Sequence, residues 1–222
     1  MNPSSRCAKP PQHKFLWFFV ALAVLAHLTF LTFLGLAAYR YKPPYWGKDI
    51  SQAESATRWS ERFPVLEEEM HRCGVKYHEI SAKEEPFKRE LEGIYSSGGV
   101  NMKFENHNGL EKWSLTMTVR SDHFICDSPE NQALVEMAAT LFSTLGGDAY
   151  STDFIEEELV RLLLIIHEEF VPMESGASPE PIGEAENYFG PFFAGEMLIR
   201  VRQQRPDLYI TRFHITACTR HK

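Results

Sequence analysis

The His167-Glu168 pair supplies half of what a zinc-dependent hydrolase helix needs. That chemistry places a second imidazole four residues on, so that both rings face one metal ion. The position here is Val171, so no metal site is expected at His167. Paired carboxylates are the next candidates for acid–base work: Glu67-Glu68-Glu69, Glu156-Glu157-Glu158 and Glu168-Glu169. Consecutive helix positions diverge by ~100°, so such runs do not pair among themselves and are read as solvated faces. No G-x-S-x-G turn and no phosphate loop is present. Ser97-Gly98-Gly99 precedes a strand and so lacks the helix start that anion binding requires. The histidines His71, His78, His107, His123 and His221 are too dispersed to argue for a metal cluster. The sequence therefore names no catalytic residue, no metal and no cofactor.

A different chemistry emerges towards the carboxyl end. From Met197 to Lys222 six basic residues stand against Asp207 alone, a net of +5, while the rest of the chain after residue 48 carries −18. Side chains two apart on a strand share a face, which puts Arg200 beside Arg202 and Arg212 beside His214. If the outer faces of the two strands coincide, these four residues form a cationic patch with an imidazole. Such a patch suits anionic lipid headgroups or an acidic protein. The competing reading is a solvated sheet face whose arginines pair with the chain's own glutamates.

The elements that must position these groups follow from periodicity. Ile50, Ala53, Ala56, Trp59 and Phe63 predict a helix over 50–62, divided by Pro64 from a turn-rich stretch at 65–72 that ends at Gly74. Residues 75–80 read as a short strand and 82–95 as a charged helix. Strict alternation on both sides of Asn108-Gly109 predicts an antiparallel hairpin. Its apolar residues are Val100, Met102 and Phe104, then Trp113, Leu115, Met117 and Val119. Ser128-Pro129-Glu130 marks a helix start, and Gly146-Gly147 stops that helix. A short strand at 148–152 is followed by a helix that Asp153 and Glu156 would cap, its body at 159–166 centrally buried. Residues 172–191 look loop-like. Glu196–Arg202 and Leu208–Cys218 form a second hairpin, and no internal repeat is visible. The order of elements predicts an α+β domain of antiparallel hairpins packed on two or more helices.

That domain is tethered. The run 15–38 has no formally charged side chain and is long enough for a helix to span a hydrocarbon core of roughly 30 Å. A cleaved signal peptide has a shorter apolar region, of about 7–15 residues, so an uncleaved signal anchor is the preferred reading. Arg6, Lys9 and Lys14 precede the run and Arg40, Lys42 and Lys48 follow it, a tie under the positive-inside rule. A short first tail ordinarily stays in the cytosol, which makes 1–14 a cytosolic tail and 15–38 the single transmembrane span. Residues 39–49 are then a Pro/aromatic spacer, and 50–222 a soluble domain on the extracytoplasmic side.

Composition narrows the function classes. All 30 acidic residues and 17 of the 23 Lys/Arg lie after residue 48, a net of −13 that argues against nucleic acid as a partner. Cys73, Cys126 and Cys218 are too few and too odd in number for a disulfide framework. The expectation is a non-enzymatic, single-pass envelope protein whose exported domain binds another protein, as an assembly subunit or as the neutraliser of a toxic enzyme. The alternative is an anchored hydrolase built from non-contiguous His and Glu, which would require His167, His123 or His214 to meet another such group.

Overall fold

The computed structural model describes residues 19–32, 48–122, 130–147, 149–169, 182–189, 194–205 and 207–219. It divides into two compact units, Met1–Lys42 and Pro43–Lys222. In the first, residues 19–32 form helix α1, on which Phe19, Leu22, Leu25 and Leu28 are all more than half exposed. Thr29 and Thr32 donate their hydroxyls back to the carbonyls of Leu25 and Leu28, at 2.7 and 2.6 Å, so these polar side chains are satisfied within the helix. The tail and the remainder of the 15–38 run lie outside the described residues. Among those described, no helix is long and apolar enough to cross a membrane.

The second unit is the expected α+β domain. It opens on helix α2 (Gln52–Arg72), where Ser51 Oγ accepts from the Glu54 amide and the Glu54 carboxylate accepts from the Ser51 amide. The helix continues through Pro64, where the sequence predicts a break. Leu66 and Met70, beyond the proline, are fully buried with Trp59 in the core. Burying two such side chains is worth about 1.5–3 kcal/mol each, which offsets the roughly 3 kcal/mol that an interior proline costs. The helix ends where expected, with Gly74 at φ +69° and the Val75 amide bonded to the Met70 carbonyl at 2.8 Å.

The strands are β1 (Lys76–Glu84), β2 (Phe87–Tyr95), β3 (Gly98–His107), β4 (Leu110–Ser121), β5 (Ile182–Phe189), β6 (Gly195–Arg205) and β7 (Leu208–Thr219). Helices α3 (Glu130–Leu145) and α4 (Thr152–Glu169) come between β4 and β5. All seven strands form one antiparallel sheet in the order β1-β2-β3-β4-β7-β6-β5. Both predicted hairpins are present as β3–β4 and β6–β7. The first turns through Asn108 at φ +52° and Gly109 at φ +75°. A Cβ on Gly109 would lie 2.3 Å from Asp49 Cβ, because the chain entering α2 is bonded here, Ile50 N to Gly109 O at 2.9 Å.

Four expectations are corrected. Residues 87–95 are strand β2 and not a helix: Phe87, Leu91 and Gly93 face inward while Lys88, Glu90 and Glu92 face outward, a period of two hidden under high charge. Residues 182–189, expected to be loop, form the edge strand β5, which buries only Ala185 and Phe189 among its described side chains. No strand occurs at 149–151, where a short bend joins α3 to α4. Helix α4 is capped by Ser151, whose Oγ accepts from Phe154 N at 3.3 Å, and not by Asp153. Its body is buried through Leu159, Leu162, Leu163 and Ile166, but Val160 and Leu164 are exposed.

Helices α2, α3 and α4 share one core with a single face of the sheet, joining Leu66, Leu141, Phe142 and Leu159 to Phe104, Trp113, Ile199 and Phe213. The opposite sheet face has no helix over it among the described residues. The meanders β2-β3-β4 and β5-β6-β7 meet through β4 and β7 and are related by a pseudo-two-fold axis at the Thr116–His214 pair. The rotation matches buried Leu115 with Phe213, Val100 with Met197, and the buried polar Asn106 with Gln203. It is a repeat of topology without a visible repeat of sequence.

One buried carboxylate joins helix to sheet. Glu111 on β4 is fully buried and accepts from Ser55 Oγ at 2.8 Å and from Arg58 Nη1 at 3.1 Å, with Arg62 Nη2 at 4.0 Å. Asn106 extends the network, donating to the Ile50 carbonyl at 2.7 Å and to Ser55 Oγ at 2.9 Å. Removing one partner of a buried pair typically costs about 3–5 kcal/mol. Glu111→Ala should lose that much in urea unfolding of the full chain, and Glu111→Gln, which keeps an acceptor for Ser55, should lose less. Equal midpoints for both variants and the wild type would refute this account of the helix–sheet joint.

Candidate functional site

The cationic residues come together on the open face of the sheet. The β6–β7 ladder sets Arg200 directly opposite Arg212 and Leu198 opposite His214. The β4–β7 ladder sets Thr116 opposite His214 from the other side. Thr116, Leu198, Arg200, Arg212 and His214 line a shallow depression of about 270 Å³. Arg202 lies on the same face but opposite Ile210, and it does not line the depression.

The groups are held differently. Arg200 bonds Glu184, its cross-strand neighbour on β5. Arg212 is exposed and has no ion pair among the described residues. His214 is half-buried, and its Nδ1 lies 2.8 Å from Thr116 Oγ1. If the threonine hydroxyl donates there, Nε2 carries the proton and points a donor away from Thr116. Burial pushes the His214 imidazole below its ordinary value; Glu196 opposes this, and Lys112 and Arg212 add to it. Like charges directly opposite on a sheet are destabilising, so the Arg200–Arg212 pairing is a cost that Glu184 only partly relieves.

A larger cleft of about 650 Å³ lies between the end of α2, the β2–β3 turn, α3 and the start of α4. Two of its polar groups have partners within the protein. Arg72 pairs with Glu69 at 2.7 Å, and the Tyr95 hydroxyl donates to the Thr118 carbonyl at 3.0 Å. Burial raises the Cys73 thiol, which favours the unreactive protonated form. No histidine lines this cleft among the described residues.

The remaining candidates do not converge. His167 is exposed at the end of α4, on the helical side, and His214 is on the opposite sheet face; Val171, His123 and Cys126 lie outside the described residues. Within the glutamate runs the side chains take separate partners. Glu69 holds Arg72, Glu67 accepts from the Tyr77 hydroxyl, and Glu158 binds Arg161 at 2.8 Å and Asn187 at 2.6 Å. Cys73 and Cys218 are free thiols. Among the described residues no three His, Cys, Asp or Glu side chains are grouped to hold a metal ion.

Thr116 and Glu184 are the members that sequence reasoning missed. Thr116 depends on the pairing of two distant segments, β4 with β7, and Glu184 on strand β5, which the sequence does not show. The alternation of Thr116 with Leu115 and Met117 shows its face but not its neighbour. In comparisons with known proteins, no family model, no curated protein and no solved structure matches this chain.

The imidazole's downward shift has a thermodynamic consequence. The unfolded chain takes up a proton near the ordinary histidine value, while the folded site resists it. His214 therefore contributes stability that is present above about pH 6.5 and is lost as pH falls below it. An NMR titration should place His214 below 6.5, and His214→Gln should flatten the loss of stability on acidification from pH 7 to 5. An imidazole titrating above 6.5 would refute this.

Proposed function

We propose that this chain is a single-pass, membrane-tethered, non-enzymatic protein whose domain lies on the extracytoplasmic side and docks an acidic protein on the open face of its sheet. The observation that carries the reading is the asymmetry of that sheet. One face is covered by three helices; the other has no helix over it among the described residues and carries the cationic depression at Arg200, Arg212 and His214. A face whose Arg212 guanidinium has no ion pair among the described residues is complementary to a negative surface, and complementary charge sets partner choice and association rate.

The tether is supported by the uncharged run 15–38 and by the apolar side chains exposed all along α1, which water does not favour. The partner is either a neighbouring subunit of an envelope assembly or a toxic enzyme neutralised by the domain. The hydrolase alternative gains no support from the described residues, because His167 and His214 lie on opposite sides of the sheet.

A compartment-sensitive reporter at the carboxyl end should be active outside the cytosol, and a cytosolic signal would overturn the orientation. Photo-cross-linkers placed at Ser114 and Thr216, on the open face, should capture one protein in the native cells, whereas a cross-linker at Val160 on α4 should not. A stoichiometric membrane complex would mark an assembly subunit, and a single dedicated toxin a neutraliser. Equal capture from both sides of the domain would overturn docking on the sheet face.

A further inference from the structure

The opposed arginines admit a sharper statement of what the open face recognises, one that rests on the reading of that face as a docking surface. Two guanidiniums held opposite each other across a ladder repel unless an anion lies between them. Glu184 already engages Arg200 from the β5 side. On the other side Arg212 lines the depression with no ion pair of its own among the described residues. His214 follows two residues along the same strand and is oriented by the 2.8 Å contact of Nδ1 with Thr116 Oγ1; with the threonine hydroxyl donating to Nδ1, or with the ring protonated, Nε2–H is the donor that remains. Leu198 provides an apolar wall opposite the imidazole.

We propose that Arg212, His214 and Arg200 form a seat for a single carboxylate side chain, an aspartate or glutamate of the acidic partner protein. Arg212 takes it bidentately, with both N–H groups of one fork edge donating to its two oxygens. The Nε2–H of His214 donates to one of those oxygens. Arg200, shared with Glu184, supplies the second positive charge. The seat lies on the β6–β7 side of the join between the two meanders, and β4, β6 and β7 all contribute to its lining. A protonated His214 adds charge facing the incoming anion; the other charged groups around it are Glu196, Lys112 and Arg212. Carboxylate binding should therefore tighten as pH falls from 8 to 6.

The test uses the full chain in a zwitterionic nanodisc and a hexaglutamate peptide as probe, followed by the Arg212 side-chain and His214 ring NMR signals. Hexaglutamate should shift both sets of signals and raise the pH at which His214 titrates. Arg212→Gln should weaken binding at least tenfold. Arg212→Lys should recover little of it, because an ammonium cannot make the bidentate pair, and His214→Asn should abolish the tightening at low pH. Full binding by Arg212→Lys, or unchanged binding by Arg212→Gln, would overturn the seat. Binding to phosphatidylglycerol vesicles without any response to hexaglutamate would overturn it in favour of a lipid headgroup. The Ser114 and Thr216 cross-links separate this failure from that of the docking face. If they persist while hexaglutamate does not bind, the seat is wrong and the face stands; if they vanish too, both fall.

Discussion

The buried carboxylate of Glu111 is the constraint on which the arrangement of this domain depends. A charge fully removed from water must be matched, and the match comes from a different element: Ser55, Arg58 and Arg62 all lie on α2. The pairing fixes how far along the sheet the helix lies and which of its faces turns down. Asn106 and Gln52 carry the same joint onward to the chain entering α2 and to the amide of Phe87 at the start of β2. Arg62 also lies over the ring of Phe104 at 5.2 Å, so one side chain links the polar joint to the aromatic core. Hydrophobic burial supplies the bulk of the stabilisation, but it is not directional. The carboxylate makes one docking of α2 far better than its neighbours.

With all three helices committed to one side, the sheet's polar side is left to other uses. On the β2–β3 side several of its charges are paired along the surface, as Lys88 with Glu90 at 2.6 Å and Lys103 with Glu105 at 2.5 Å. The first pairing also holds the Glu90 carboxyl below its ordinary range. Such exposed pairs contribute little to stability, yet they neutralise the β2–β3 half of the face. The contrast is with Arg212 on the β6–β7 half, which has no ion pair among the described residues.

Legibility in the sequence followed the range of the interactions. The β3–β4 hairpin was readable because its turn, its alternation and its register all lie within one short stretch around Asn108-Gly109. Helix α2 was half readable: the spacing of Ile50 to Phe63 shows it, but its passage through Pro64 depends on Leu66 and Met70 meeting a core assembled from distant strands. Strand β2 was misread because Lys88, Glu90 and Glu92 make its outer face as charged as a solvated helix. The patch residues Arg200, Arg202, Arg212 and His214 could be named from period and charge alone. That Arg202 stands outside the depression, and that Thr116 and Glu184 complete its surroundings, depends on pairings across nearly a hundred residues in one case and on an unrecognised strand in the other.

The order of strands also shapes how the domain can come into being. The final strand in chain order, β7, lies in the middle of the sheet, between β4 and β6. During synthesis the first meander must wait with β4 as an open edge, across the emergence of two helices and two further strands, before its partner arrives. An unpaired edge of that kind is a template for any passing extended segment. The late closure of this sheet is thus a period of exposure, and a chain interrupted just before residue 208 would lack the centre of its sheet and not merely its rim.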